Sequence, residues 1–124
     1  MTSSKRIFVI EDDLHIRESL TEVLEIEGFN VFSAVNGQEA LDKLRSGERA
    51  DLILLDLMMP VKDGFQFRAE QGVDPKISNI PVIVMSANGN NYANAELGMI
   101  AHYLKKPIDL DALLESINRY LIVE

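Results

Sequence analysis

Three acids in succession, Glu11, Asp12 and Asp13, follow the apolar run of residues 7–10, and a single acid, Asp56, follows the apolar run of residues 52–55. Taken alone, an Asp after such a run is ordinarily a turn or cap residue. A carboxylate buried without a partner is costly, however. Two further positions complete a chemical set: Ser86 ends the run "PVIVM", and Lys105, Lys106 and Pro107 close "HYLKKP". Crowded carboxylates repel one another unless a cation lies among them. An oxygen-only donor set suits a hard ion such as Mg2+ (or Mn2+), which takes few protein carboxylates and keeps several waters. The chain has no cysteine, and His15 and His102 fall outside the cluster, so zinc is disfavoured. Beside such an ion one carboxylate can act as a nucleophile toward phosphorus and form an aspartyl phosphate. The ion, a lysine and a hydroxyl would then share the phosphoryl oxygens and neutralise the developing charge.

These groups need elements that bring them together. "RIFVI" (6–10), "NVFSA" (30–34), "LILL" (52–55), "PVIVM" (81–85) and "HYLK" (102–105) read as strands. Between them lie helical patterns. Ile16, Leu20, Val23 and Leu24 share one face, and Gly28 stops that helix. Asn36 with Glu39 three residues later marks a second start, and Ala40, Leu41 and Leu44 face inward. Residues 64–71 form a weaker helix closed by Gly72, and residues 92–99 another weak one. Asp109 caps a last helix with Leu110, Leu113, Leu114, Ile117 and Leu121 in register. Strands alternating with helices predict an α/β fold with a parallel sheet covered on both faces. Right-handed crossovers favour a doubly wound, flavodoxin-like sheet of five strands in the order 2-1-3-4-5, with five helices. All strands of such a sheet end on one edge, and strands one and three flank the crevice where ligands bind.

Composition sets outer bounds. The 124 residues predict one domain, 1–124, large enough to need no disulfide or structural metal. A net charge of -8 argues against nucleic acid. The apolar run near the start has only four residues, which predicts no signal peptide, no membrane span and a cytoplasmic location. The segment "NGNNYAN" (88–94) is the one compositional oddity, and its Asn and Gly disfavour a helix.

Four motifs in order, "VIEDD", "DLILLDLMMPVKDG", "IPVIVMSA" and "YLKKPID", resemble those of the receiver domains of two-component response regulators, and the resemblance covers essentially the whole chain. It implies that Asp56 is the phosphoacceptor. It makes Asp13 a direct metal ligand, Asp12 a ligand acting largely through water, and the backbone carbonyl of Met58 a third donor beside Asp56. Ser86 becomes the switch hydroxyl, Tyr103 the aromatic whose rotamer follows it, and Lys106 the phosphate-binding lysine before a cis bond to Pro107. The implied partners are a histidine kinase or histidine phosphotransfer protein upstream and another protein downstream. No output segment follows the last helix, so the signal is expected to pass by protein contact, without separate turnover. The chain departs from the family pattern in having serine at 86 where threonine is commoner, and in the composition of residues 88–103. Residues 87–103 are therefore the segment expected to respond most to phosphorylation. Two other readings compete. A phosphatase of the haloacid dehalogenase type needs an acid two residues after the nucleophile, where this chain has Met58. A receiver-fold adaptor that works without phosphorylation would not need the full set Asp12, Asp13, Asp56, Ser86 and Lys106.

Overall fold

A computed structural model describes residues 5–87 and 100–121. The elements are β1 (Arg6–Ile10), α1 (Leu14–Ile26), β2 (Asn30–Ala34), α2 (Gly37–Arg45), β3 (Leu52–Asp56), α3 (Gly64–Gly72), β4 (Val82–Ser86), β5 (His102–Lys105) and α4 (Leu110–Tyr120). The strands form one parallel sheet in the order β2-β1-β3-β4-β5, as the alternation of patterns predicts. Four helices lie among the described residues; the fifth, expected over 92–99, falls outside them.

Apart from Arg6, Asp56 and Ser86 at their ends, the central strands β1, β3 and β4 are apolar, because both faces of the sheet are covered. Side chains alternate between the faces. Phe8, Ile10, Ile53 and Leu55 pack with Ala40, Leu41 and Leu44 of α2 and Phe67 of α3. Ile7, Val9, Leu52 and Leu54 pack with Leu20 and Leu24 of α1 and Leu113 and Ile117 of α4. Each fully buried aliphatic side chain contributes roughly 1.5–3 kcal/mol, so this double layer makes the sheet a rigid support for whatever sits at its edge.

The helix starts are held by side chains. Asn36 accepts the Glu39 N–H at 2.8 Å, and the Glu39 carboxylate accepts the Val35 N–H at 2.7 Å. Asp63 and Gln66 exchange hydrogen bonds in a capping box that opens α3. Asp109 caps α4.

The loop between β3 and α3 is less relaxed. Val61 has φ 70, and the Lys62 N–H donates to the Pro60 carbonyl at 2.8 Å across it. A β-branched residue is strained in that region, and such γ-turns are rare. Lys62 in turn accepts the Gly37 N–H at 2.7 Å, and a side-chain carbon at Gly37 would sit 2.7 Å from that same carbonyl. The contact requires glycine. Because the Val61 side chain faces solvent, Val61→Gly is expected to raise stability by about 0.5–1 kcal/mol, as strain relief outweighs the added chain entropy. A urea unfolding midpoint that falls instead would show that the valine side chain holds the loop.

Candidate functional site

The sheet edge assembles the acids and the lysine by alternation. The ladder runs one residue past β1, where the Glu11 N–H donates to the Ala34 carbonyl at 3.0 Å. It also runs one residue past β5, where the Lys106 N–H donates to the Ser86 carbonyl at 2.9 Å. Ile7 and Val9 lead to Glu11, Leu52 and Leu54 lead to Asp56, and Leu104 leads to Lys106, all on the face covered by α1 and α4. Register then sets the neighbours: Ile10 pairs with Leu55 and Asp56 with Met85.

Glu11 and Asp56 are 1% and 4% exposed. Lys106 Nζ reaches both, at 3.0 Å from Glu11 Oε1 and 3.1 Å from Asp56 Oδ1. The other Glu11 oxygen accepts the Asp13 N–H at 3.1 Å. Burial pushes the Glu11 carboxyl up to about 7, against the pull of its bond to Lys106, and the Asp56 charge adds to the rise. Burial likewise raises the Asp56 carboxyl, with Lys106 opposing. For Lys106 burial disfavours the charge, but the bond to Glu11 and the field of Asp56 outweigh it and raise the ammonium above its usual value. The Lys106–Pro107 peptide bond is cis.

The carboxylates that share one locus are Glu11, Asp12 and Asp56, each offering an oxygen within 4.8 Å of the others. Of the expected donors, Asp12 and Asp56 lie in this locus, and Glu11 stands beside them. Asp13 turns away and caps α1, its carboxylate accepting the Ile16 N–H at 3.0 Å. That bond holds the Asp13 carboxyl below its usual range. The ladder ends at Glu11, which it sends toward Asp56, and α1 begins at Leu14 with Asp13 as its cap. Ile7 and Val9 carried that signal in the sequence, and Asp13 three residues before Ile16 had the spacing of a cap.

The remaining expected residues fall around this cluster. Ser86 is buried at the end of β4, in the alternation of Val82 and Val84. Tyr103 is half-buried against the α2 and α3 side of the core, the same side. Met58 points its side chain into solvent, while its backbone N–H bonds the Asp56 carboxylate. Gly64 admits α3 close to β3: a side-chain carbon there would lie 2.7 Å from the Asp56 carbonyl oxygen.

The cluster holds three carboxylates against the one ammonium of Lys106. A hard cation among these oxygens would correct that imbalance, and Asp12, being exposed, leaves the locus open to solvent. The donor set therefore fits a divalent ion of the Mg2+ type.

Residues 7–118 match the family model for the response regulator receiver domain. Sporulation initiation phosphotransferase F of Bacillus subtilis is 36% identical over 121 residues, covering 95% of this chain and 94% of that protein. Transcriptional regulatory protein CrdR of Helicobacter pylori is 42% identical over 118 residues, which cover 94% of this chain and 54% of CrdR, so the chain spans about half of that relative. Among solved structures, the chemotaxis protein CheY4 of Vibrio cholerae superposes with a TM-score of 0.88 at 26% identity, covering 96% of this chain and 100% of CheY4. Response regulator protein TrrA of Thermotoga maritima, solved in complex with Mg2+ and BeF, gives 0.83 at 33% identity over 94% of this chain and 99% of TrrA. Motifs, sheet order, edge cluster and relatives agree, and the chain belongs to the family of response regulator receiver domains.

Proposed function

We propose that residues 1–124 work as one phosphorylation-controlled signalling unit. Asp56 accepts a phosphoryl group from a histidine kinase or a histidine phosphotransfer protein, and the change passes to a further protein by contact. The observation that carries this reading is Lys106 seated between two buried carboxylates at the end of the central strands.

Asp56 supplies the attacking oxygen, and β3 fixes its position. Lys106 holds Asp56 before transfer and is within reach of a phosphoryl oxygen afterwards, as a point charge. Ser86 offers a hydroxyl to another oxygen, and Tyr103, on the same side of the sheet, follows Ser86 as it moves. Mg2+ (or Mn2+), when bound, neutralises charge on the transferring group. Asp12 and Asp56 would hold it with the Met58 backbone carbonyl, and Glu11 would act largely through water. TrrA carries Mg2+ and BeF in its solved complex, which supports placing a metal and a phosphoryl group here. An apolar groove lined by Ile16, Leu20, Pro107 and Ile108 opens beside Lys106, and Leu14 and Met58, in the segments that follow β1 and β3, expose apolar side chains. These features support a protein as the natural donor. Met58 cannot do general acid–base work, which disfavours a phosphatase of the haloacid dehalogenase type.

Labelling with acetyl phosphate tests the transfer itself. The donor set is tested by calorimetric titration with Mg2+. Asp12→Ala is expected to abolish measurable binding. Asp13→Ala is expected to keep near wild-type affinity and to lose about 1 kcal/mol of stability with its helix cap. Equal loss of Mg2+ binding in both variants would contradict the placement of Asp13 at the cap alone.

A further inference from the structure

Arg17 lies outside the acid cluster but grips the backbone of the loop that carries it. One guanidinium nitrogen donates to the Glu11 carbonyl at 2.8 Å and to the Asp12 carbonyl at 3.3 Å. These carbonyls belong to the peptide units on either side of the Asp12 α-carbon. A donor that holds both restrains both backbone dihedrals of Asp12, and hence the direction of its side chain. Arg17 is itself anchored in the first turns of α1. Its N–H donates to the Asp13 carbonyl at 2.9 Å, and its carbonyl accepts the Thr21 hydroxyl at 2.8 Å.

The restraint matters because the acids are held unequally. The Glu11 carboxylate is bonded by Lys106 and by the Asp13 N–H, and the Asp56 carboxylate is paired with Lys106. Among the described residues nothing bonds the Asp12 carboxylate, which stands exposed at the mouth of the site. Its aim depends on its backbone.

We propose that Arg17 is a positioning residue for the cation site, orienting Asp12 toward Glu11 and Asp56 by fixing the two peptide planes around it. The proposal rests on the reading of Glu11, Asp12 and Asp56 as Mg2+ donors. Electrostatics alone sets the opposite expectation, since a guanidinium beside a cation site repels the ion. Charge and positioning therefore predict opposite signs.

The test is calorimetric titration with Mg2+ of wild type, Arg17→Met and Arg17→Lys, each at a temperature where thermal unfolding in EDTA shows it folded. Asp12→Asn serves as the control for lost binding. Positioning predicts that Arg17→Met weakens Mg2+ by about tenfold, the usual scale for groups that orient metal ligands. It also predicts that Arg17→Lys, which can still donate to the loop, recovers part of that loss. Mg2+ binding by Arg17→Met as tight as wild type, or tighter, would overturn the proposal while leaving the donor set intact. Failure of wild type itself to bind Mg2+ would overturn the donor set, and the proposal with it.

Discussion

Replacing Lys106 with methionine is expected to destabilise the metal-free protein by about 3 kcal/mol at pH 8 and by much less at pH 5. Lys106 is the ammonium paired with both buried acids, at 3.0 Å from Glu11 and 3.1 Å from Asp56. Removing one partner of a buried ion pair strands the other, which costs about 3–5 kcal/mol. The loss has a ceiling here because Glu11 already titrates near 7. Without the lysine its carboxyl rises further and takes up a proton, which limits the penalty near neutrality and nearly removes it in mild acid. Urea unfolding in EDTA at the two pH values measures this. Equal loss at both would mean that Lys106 acts by packing its stem, and no loss at pH 8 would mean that the pair is not formed.

The wild type is expected to lose stability in EDTA as pH rises from about 4.5 to 7. The folded Glu11 carboxyl titrates near 7 and the unfolded one at 4.5. Between these values the folded state binds more protons than the unfolded state, so stability falls with rising pH. The penalty is absent below the window and complete above it, about 3 kcal/mol at full size. Asp56, also raised, acts with the same sign. Asp13, Asp51 and Glu70 are lowered and act the other way in more acidic solution, so the metal-free protein should be most stable in mild acid. Asp56→Asn removes one of the crowded charges and is expected to raise metal-free stability at pH 8 by about 1–2 kcal/mol. A variant less stable than wild type under those conditions would give Asp56 a structural role beyond the cluster.

The sheet was legible because its strands are short apolar runs set off by Gly, Asn and Asp, and because helical spacing fills the gaps. Leu52–Leu55 read as a buried strand, and Asn36 and Asp109 marked helix starts that the structure confirms. The lysine at the end of β5 and the acid at the end of β3 followed from the parallel topology. Which acids of the Glu11-Asp12-Asp13 run join Asp56 did not, because that depends on where the β1 ladder ends and on which acid is taken as the cap of α1. The hold of Arg17 on two carbonyls was invisible for a different reason: a long side chain meeting backbone leaves no pattern of residue types. The same is true of Gln71. It read as the end of a weak helix, yet it is fully buried and donates to the carbonyls of Ile77 at 2.9 Å and Ile80 at 3.2 Å while accepting from Arg68 at 2.9 Å. The strain at Val61 arises from a turn whose residues carry no glycine to announce it.

The central claim, that Asp56 accepts a phosphoryl group in a cation-dependent site, is tested most directly by intact mass after incubation with acetyl phosphate. With Mg2+ present, the wild type should gain the mass of one phosphoryl group. That gain should vanish in Asp56→Asn and in wild type treated with EDTA. A wild type that gains no mass with Mg2+, or an Asp56→Asn variant that gains as much as wild type, would contradict the account.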